Sequence, residues 1–293
     1  MPVIDVNGVA LNYRELGSRD KRTIVFTHLV GLGGSEVFDH LVSELDGDFH
    51  MVTVDQHGHG QSGYRTPLTL EDMTADYYQL LTKLGLSKVI WVGYSIGGMI
   101  GMRLALAHPE TIGSLVLIAT TARCDPPPLR EQTEQLWEMF RDGHGETIAD
   151  AALPFFFASA TYKNQPQLIE DARHKLIGHQ NVTGVFEAAR AALHRTDISD
   201  EIHAIKAPTL VIAGKDDVTA TPAEAELMAS RIPHAQLAVV DEASHLVVIE
   251  KPREVARLIS EFLQGVKSGL YSSSRKDKAH VKVNSWSNHL ITR

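Results

Sequence analysis

Ser95 stands in "WVGYSIGGM" (91–99), between Gly93 and Gly97 and directly after the apolar run "KVIWVG". A serine hydroxyl is a weak nucleophile near neutral pH. It needs a base to take its proton, and the base needs a carboxylate to orient it. The chain has 15 histidines, so position must select among them. His245, in "DEASHLVVIEKP", follows the β-like run 235–241, and Asp217, in "AGKDDVTATP", follows the run 208–213. A hydroxyl, a carboxylate and an imidazole, each just beyond an apolar run, have the residue types for nucleophilic acyl transfer.

Their placement depends on the elements that carry them. Gly93 and Gly97 flank a sharp strand-to-helix turn, where a β-carbon would collide with the neighbouring strand or helix. The helix opening at Ile96 offers free N–H groups beside Ser95, and Ile96 N–H is one that can hold a developing anion. Apolar runs at 23–28, 49–55, 88–93, 112–121, 208–214 and 235–243 alternate with segments of helical spacing at 68–85, 96–107, 222–232 and 254–264. Continuous apolar strands alternating with helices predict a doubly wound α/β domain built on a mostly parallel sheet. In such a sheet, ligands bind beyond the carboxyl ends of the strands, the rim that Ser95, Asp217 and His245 would share. Residues 126–200 break the alternation: they open on "PPP", offer no strand and read as a helical insertion. The expected organisation is a core of 1–125 and 201–265, a helical cap of 126–200, and a tail of 266–293.

Composition narrows the alternatives. The chain has 293 residues, 43% of them hydrophobic, with a net charge of −8, a globular composition with no general reason to bind nucleic acid. The N-terminal stretch has no basic segment followed by an apolar block, and no apolar stretch is long enough to span a bilayer. A single cysteine, Cys124, excludes an internal disulfide and suits a reducing, cytoplasmic setting. The tail carries +5, leaving −13 for the rest, and it reads as a poorly ordered basic appendage.

With these motifs in place, residues 1 to about 265 resemble the α/β-hydrolase superfamily. "DQHGHGQS" (55–62) is similar to its D-x-x-G-x-G-x-S turn, "GKDD" fits its G-x-x-D and selects Asp217 over Asp216, and "ASHLVVIEKP" fits its histidine followed by Glu-x-Pro. The nearest pattern is that of 3-oxoadipate enol-lactonases and related small esterases, which the cap ending "AARAALHRTDISDEIHAIKAPTLVIAGKDD" resembles. The resemblance implies a cofactor-free enzyme with a Ser95–His245–Asp217 triad, acting on a small-molecule ester or lactone. Two features depart from the pattern. "THLVGLGGS" has Leu29 where most members carry glycine; with Gly31 two positions on, the resemblance implies Val30 N–H as the second oxyanion donor beside Ile96 N–H. A shifted register would use Leu32. The cap also lacks an expected tryptophan and carries "LPFFFASA" instead.

Phe155, Phe156, Phe157 and Trp137 are the candidate pocket residues, with fastening of the cap or packing as their alternative roles. His57 and His59 lie in a turn whose shape accounts for them better than metal binding. His28 is expected beneath the oxyanion loop, Asp216, Asp241 and Glu242 in solvent, and Cys124 as a buried thiol. A perhydrolase using the same triad, a C–C bond hydrolase and a hydrolase-fold ligand sensor remain alternative activities.

Overall fold

The computed structural model describes residues 2–45, 47–178 and 181–269. Within them the β-strands are β1 (Val3–Val6), β2 (Val9–Leu16), β3 (Thr23–Thr27), β4 (His50–Val54), β5 (Val89–Tyr94), β6 (Ile112–Ile118), β7 (Thr209–Gly214) and β8 (Ala235–Val240). They form one eight-stranded sheet in the order β1-β2-β4-β3-β5-β6-β7-β8. Pairing from β4 through β8 is parallel, whereas β2 runs antiparallel to β4 and β1 antiparallel to β2. This N-terminal hairpin adds two strands to the six expected.

The helices are α1 (Asp39–Glu44), α2 (Leu70–Leu84), α3 (Ile96–Ala107), α4 (Pro127–Arg141), α5 (Gly145–Phe156), α6 (Ser159–Asn164), α7 (Pro166–Ile177), α8 (Val182–Leu193), α9 (Pro222–Arg231), α10 (Val247–Glu250) and α11 (Pro252–Lys267). Alternation along a strand sends side chains to opposite faces, and the sheet is covered on both. Ile24 and Phe26 pack in a layer with Phe38, Leu41, Val255 and Ile259, whereas Val25 and Trp91 pack with Tyr77, Ile100 and Met228. Local chemistry sets the helix ends: Thr69 and Asp72 form a reciprocal capping box at the start of α2, and Gly85 closes it in the left-handed conformation at φ 67°.

Helices α4 to α8 lie between β6 and β7, and no strand occurs among the described residues of that segment. The connections into and out of the segment are tied together. Arg195 donates a bidentate pair to Asp125 (3.0 and 3.1 Å) and a further bond to the Arg123 carbonyl, while Ile198 N–H donates to the Ala122 carbonyl. The sheet therefore continues from β6 to β7 as though the insertion were absent. At the chain end, α11 runs to Lys267, past the expected limit of 265. The rest of the expected tail, 270–293, lies outside the described residues.

Candidate active site

Strand β5 ends at Tyr94 and α3 begins at Ile96, leaving Ser95 alone at the turn with φ 53° and ψ −114°. A non-glycine residue reaches such a backbone conformation only when its surroundings force it there. Those surroundings are specific. Ser95 N–H donates to the Ile118 carbonyl at 2.9 Å, and the Ser95 carbonyl accepts from Gly98 N–H, Met99 N–H and Thr120 Oγ1. A β-carbon at Gly97 would fall 2.2 Å from the Thr27 carbonyl oxygen, and one at Gly93 would fall 2.3 Å from that of Gly97. Both glycines are thus required by close backbone approach.

The loops beyond β7 and β8 meet. His245 Nδ1 lies 2.9 Å from Asp217 Oδ2, with both residues buried. Burial pushes the Asp217 carboxyl up, but the charge of His245 and hydrogen bonds from His245 and Thr219 outweigh it, so the group is held below the usual carboxylate range. Asp217 therefore carries its charge at neutral pH and can hold a proton on Nδ1. That leaves Nε2 as the ring atom able to exchange a proton with a substrate or nucleophile. Tyr94, the residue before Ser95, donates its hydroxyl to the His245 carbonyl at 2.7 Å. Ser95 Oγ itself makes no hydrogen bond among the described residues; catalytic hydrogen bonds often tighten only in the substrate complex.

Beside this edge runs the loop after β3. Gly31 adopts φ 87°, and its N–H donates to His59 Nε2 at 2.9 Å, while His59 Nδ1 donates to the His57 carbonyl. His28 accepts from Gln56 N–H and donates to the Leu29 carbonyl. These histidines pin the loop to the turn 55–62, the supporting role expected of His28. Among the described residues, neither Val30 N–H nor Ile96 N–H has a hydrogen-bond acceptor. His57 pairs with Asp76 at 2.8 Å, and among the described residues no group of three metal-binding side chains occurs.

The cap touches both halves of this arrangement. The Trp137 ring, on α4, lies against Gly31, where an added β-carbon would meet its Cη2 at 2.9 Å. The three phenylalanines at the end of α5 divide. Phe156 packs its ring 5.5 Å from that of His245, Phe155 is exposed, and Phe157 is buried edge-on against Tyr162. The α5 terminus is also stitched to the histidine loop: Leu246 N–H donates to the Phe156 carbonyl, and buried Glu250 accepts from Ala158 N–H, Thr161 Oγ1 and Ser244 N–H. Asp216, Asp241 and Glu242 are exposed, as expected. Cys124 is exposed as well, with its sulfur 3.9 Å from Asp197, so the expectation of a buried thiol is corrected. It follows the end of β6 on the connection to the insertion, where the chain leaves the core. Sequence reasoning did not single out Thr219 or Tyr94, and it read His59 only as part of its turn and Glu250 only as part of the Glu-x-Pro motif, without the contacts they make here.

The sequence profile of the alpha/beta hydrolase fold matches residues 24–252. The chain belongs to the alpha/beta hydrolase family. It is 30% identical over 250 residues to the protein RutD of Rhizobium rhizogenes, whose name points to carbamate hydrolysis, covering 84% of this chain and 94% of that one. It is 27% identical to 3-oxoadipate enol-lactonase 2 of Acinetobacter baylyi over 84% of this chain and 90% of the relative. Among solved structures, a thermophilic esterase from Thermogutta terrifontis superposes with a TM-score of 0.84 at 28% identity, covering 91% of this chain and 99% of its own. The enol-lactonase from Burkholderia xenovorans gives 0.82 at 28% identity, over 90% and 100%. Among the described residues of this hydrolase, no helix is long and apolar enough to cross a membrane.

Proposed function

We propose that the enzyme hydrolyses small carboxylic esters or lactones through an acyl-enzyme on Ser95. The observation that carries this reading is the buried His245–Asp217 pair at 2.9 Å, on loops beyond β7 and β8, at the sheet edge where strained Ser95 leaves β5. In the reaction, His245 Nε2 takes the Ser95 proton as Oγ attacks the substrate carbonyl carbon. Asp217 holds the Nδ1 proton and stabilises the imidazolium. Val30 and Ile96 N–H receive the oxyanion; each such donor supplies about 3 kcal/mol in a water-excluded site. The imidazolium then protonates the leaving alkoxide or enolate, and water enters by the same steps in reverse to release the acid. The Phe156 ring packs beside His245 and the Trp137 ring against Gly31, so both flank the residues of this reading. No step needs a metal or an organic cofactor.

The RutD similarity supports a second reading, a carbamate substrate, which the same nucleophile and oxyanion donors would serve. One experiment separates them: kcat/KM for short acyl esters, five- and six-membered lactones and alkyl carbamates, each with the parent and with Ser95→Ala. Ester or lactone turnover that vanishes in Ser95→Ala supports the first reading, and preference for carbamates the second. Undiminished turnover by Ser95→Ala overturns both.

A further inference from the structure

The loop after β7 turns back onto its own aspartate. Asp217 Oδ1 accepts from Thr219 N–H at 2.8 Å, Ala220 N–H at 2.9 Å and Thr219 Oγ1 at 2.8 Å. The other carboxylate oxygen, Oδ2, is the one on His245. Thr219 Oγ1 is also 2.8 Å from His245 Nδ1, as near as Asp217 itself. A hydroxyl has one proton and two lone pairs, whereas an ionised carboxylate only accepts. The Thr219 proton therefore goes to Oδ1, and a lone pair faces the Nδ1 proton of the imidazole.

We infer that Thr219 is a positioning residue for proton transfer, its hydroxyl giving the Nδ1–H of His245 a second acceptor while locking the rotation of Asp217. The inference rests on the triad reading above. With Oδ1 occupied by three donors, the carboxylate cannot turn without breaking all of them, so Oδ2 stays on the ring. The hydroxyl oxygen accepts more strongly from imidazolium than from neutral imidazole, since hydrogen bonds from charged donors are the stronger ones. Thr219 thus gives the charged ring that forms during attack a second acceptor.

The charged and titratable groups around His245 come from three elements. Asp217 lies on the β7 loop, the Tyr94 hydroxyl on β5 reaches the His245 carbonyl, and Glu250 on α10 holds the neighbouring Ser244 N–H. From α5, the uncharged Phe156 ring packs on the imidazole. Replacing Thr219 by valine leaves those groups, and two backbone donors on Oδ1, in place. What is lost is the 2.8 Å acceptor of the Nδ1 proton. Thr219 is an exposed residue, so valine opens no core cavity.

The test uses two readouts on Thr219→Val and Thr219→Ser. The first follows the His245 Nδ1–H proton by NMR in the Ser95→Ala background, where no turnover is needed. Thr219→Val should shift the Nδ1–H resonance, since that proton loses one of its two acceptors, and Thr219→Ser should restore it. The second is steady-state hydrolysis in the Ser95 protein, where Thr219→Val should lower kcat about fivefold with KM within about twofold, and serine should again rescue. An Nδ1–H resonance and kcat equal to the parent's, or Thr219→Ser as impaired as Thr219→Val, overturns the inference. Failure of the triad reading is seen separately, as undiminished turnover by Ser95→Ala.

Discussion

Replacing Glu250 by glutamine tests how the end of α5 is joined to the His245 loop. Its carboxylate is buried, and no cation pairs with it among the described residues. Oε1 accepts from Ala158 N–H at 2.8 Å and Thr161 Oγ1 at 2.5 Å, and Oε2 accepts from Ser244 N–H at 2.7 Å. Glutamine keeps one oxygen and presents an NH2 in place of the other. If the oxygen stays on the cap side, the amide faces Ser244 N–H, donor against donor; if it turns, the amide faces Ala158 N–H. Either way one charge-assisted bond is lost, worth about 1.5–3 kcal/mol, and a buried donor is left unpaired at about 1–3 kcal/mol more. The expected loss is about 2–4 kcal/mol after relaxation, read from equilibrium urea unfolding. Because Ser244 precedes His245, kcat should fall about tenfold, the effect of roughly 1.4 kcal/mol at the transition state. A stability change under about 0.5 kcal/mol with kcat unchanged would refute the claim that this carboxylate ties cap to histidine.

Gly31→Ala puts a β-carbon 2.9 Å from Trp137 Cη2 and strains a backbone at φ 87°. It should lower kcat at least tenfold by moving the loop that carries Val30 N–H, and Trp137→Ala should recover only part of the loss; activity at the parent level would remove this loop from the oxyanion site. Gly97→Ala meets the Thr27 carbonyl at 2.2 Å and should yield insoluble or inactive protein, measured by soluble expression and esterase rate. Burial pushes the carboxyls of Asp55 and Asp76 up, but the donors Ser35 and Asn12 on the first, and His57, Asn7 and Arg65 on the second, hold both below the usual range, as His245 and Thr219 do for Asp217. Lowered folded-state values contribute stability above about pH 4 that is lost as pH falls through them. The urea midpoint should therefore stay level to about pH 5 and drop below it. Asp76→Asn should flatten that drop, and a parallel fall in the variant would contradict the assignment.

The parallel half of the fold was legible because its strands are buried on both faces and read as unbroken apolar runs: all six expected strands formed, with limits that shifted by no more than three residues. The β1–β2 hairpin was not, because "VALNYREL" alternates core and solvent side chains and lacks that signature. Asp217 and His245 were placed on one rim by strand order alone, and the structure joins them. Thr219 had an available signal: a threonine two residues after an aspartate favours a turn in which the side chain captures the following N–H groups. Glu250 was visible only as the glutamate of the Glu-x-Pro motif; its burial against the end of α5 had no signal, since only tertiary packing brings Ala158, Thr161 and Ser244 to it. The three phenylalanines share one sequence neighbourhood but diverge at the end of α5, where Pro154 lies within the last turn and Phe157 leaves the helix. Cys124 looked like a strand-end core residue because the apolar run continues to Thr121, whereas β6 stops at Ile118.

The central claim is that Ser95 is a nucleophile activated by His245, and the most direct measurement is covalent trapping. An alkyl fluorophosphonate incubated with the protein, followed by intact-mass and peptide analysis, should add one phosphonyl group per chain on Ser95 and abolish hydrolysis in proportion. His245→Gln should slow that addition by orders of magnitude while the protein stays folded. Complete inactivation with the adduct on another residue, or full ester turnover with Ser95 modified, would contradict the account.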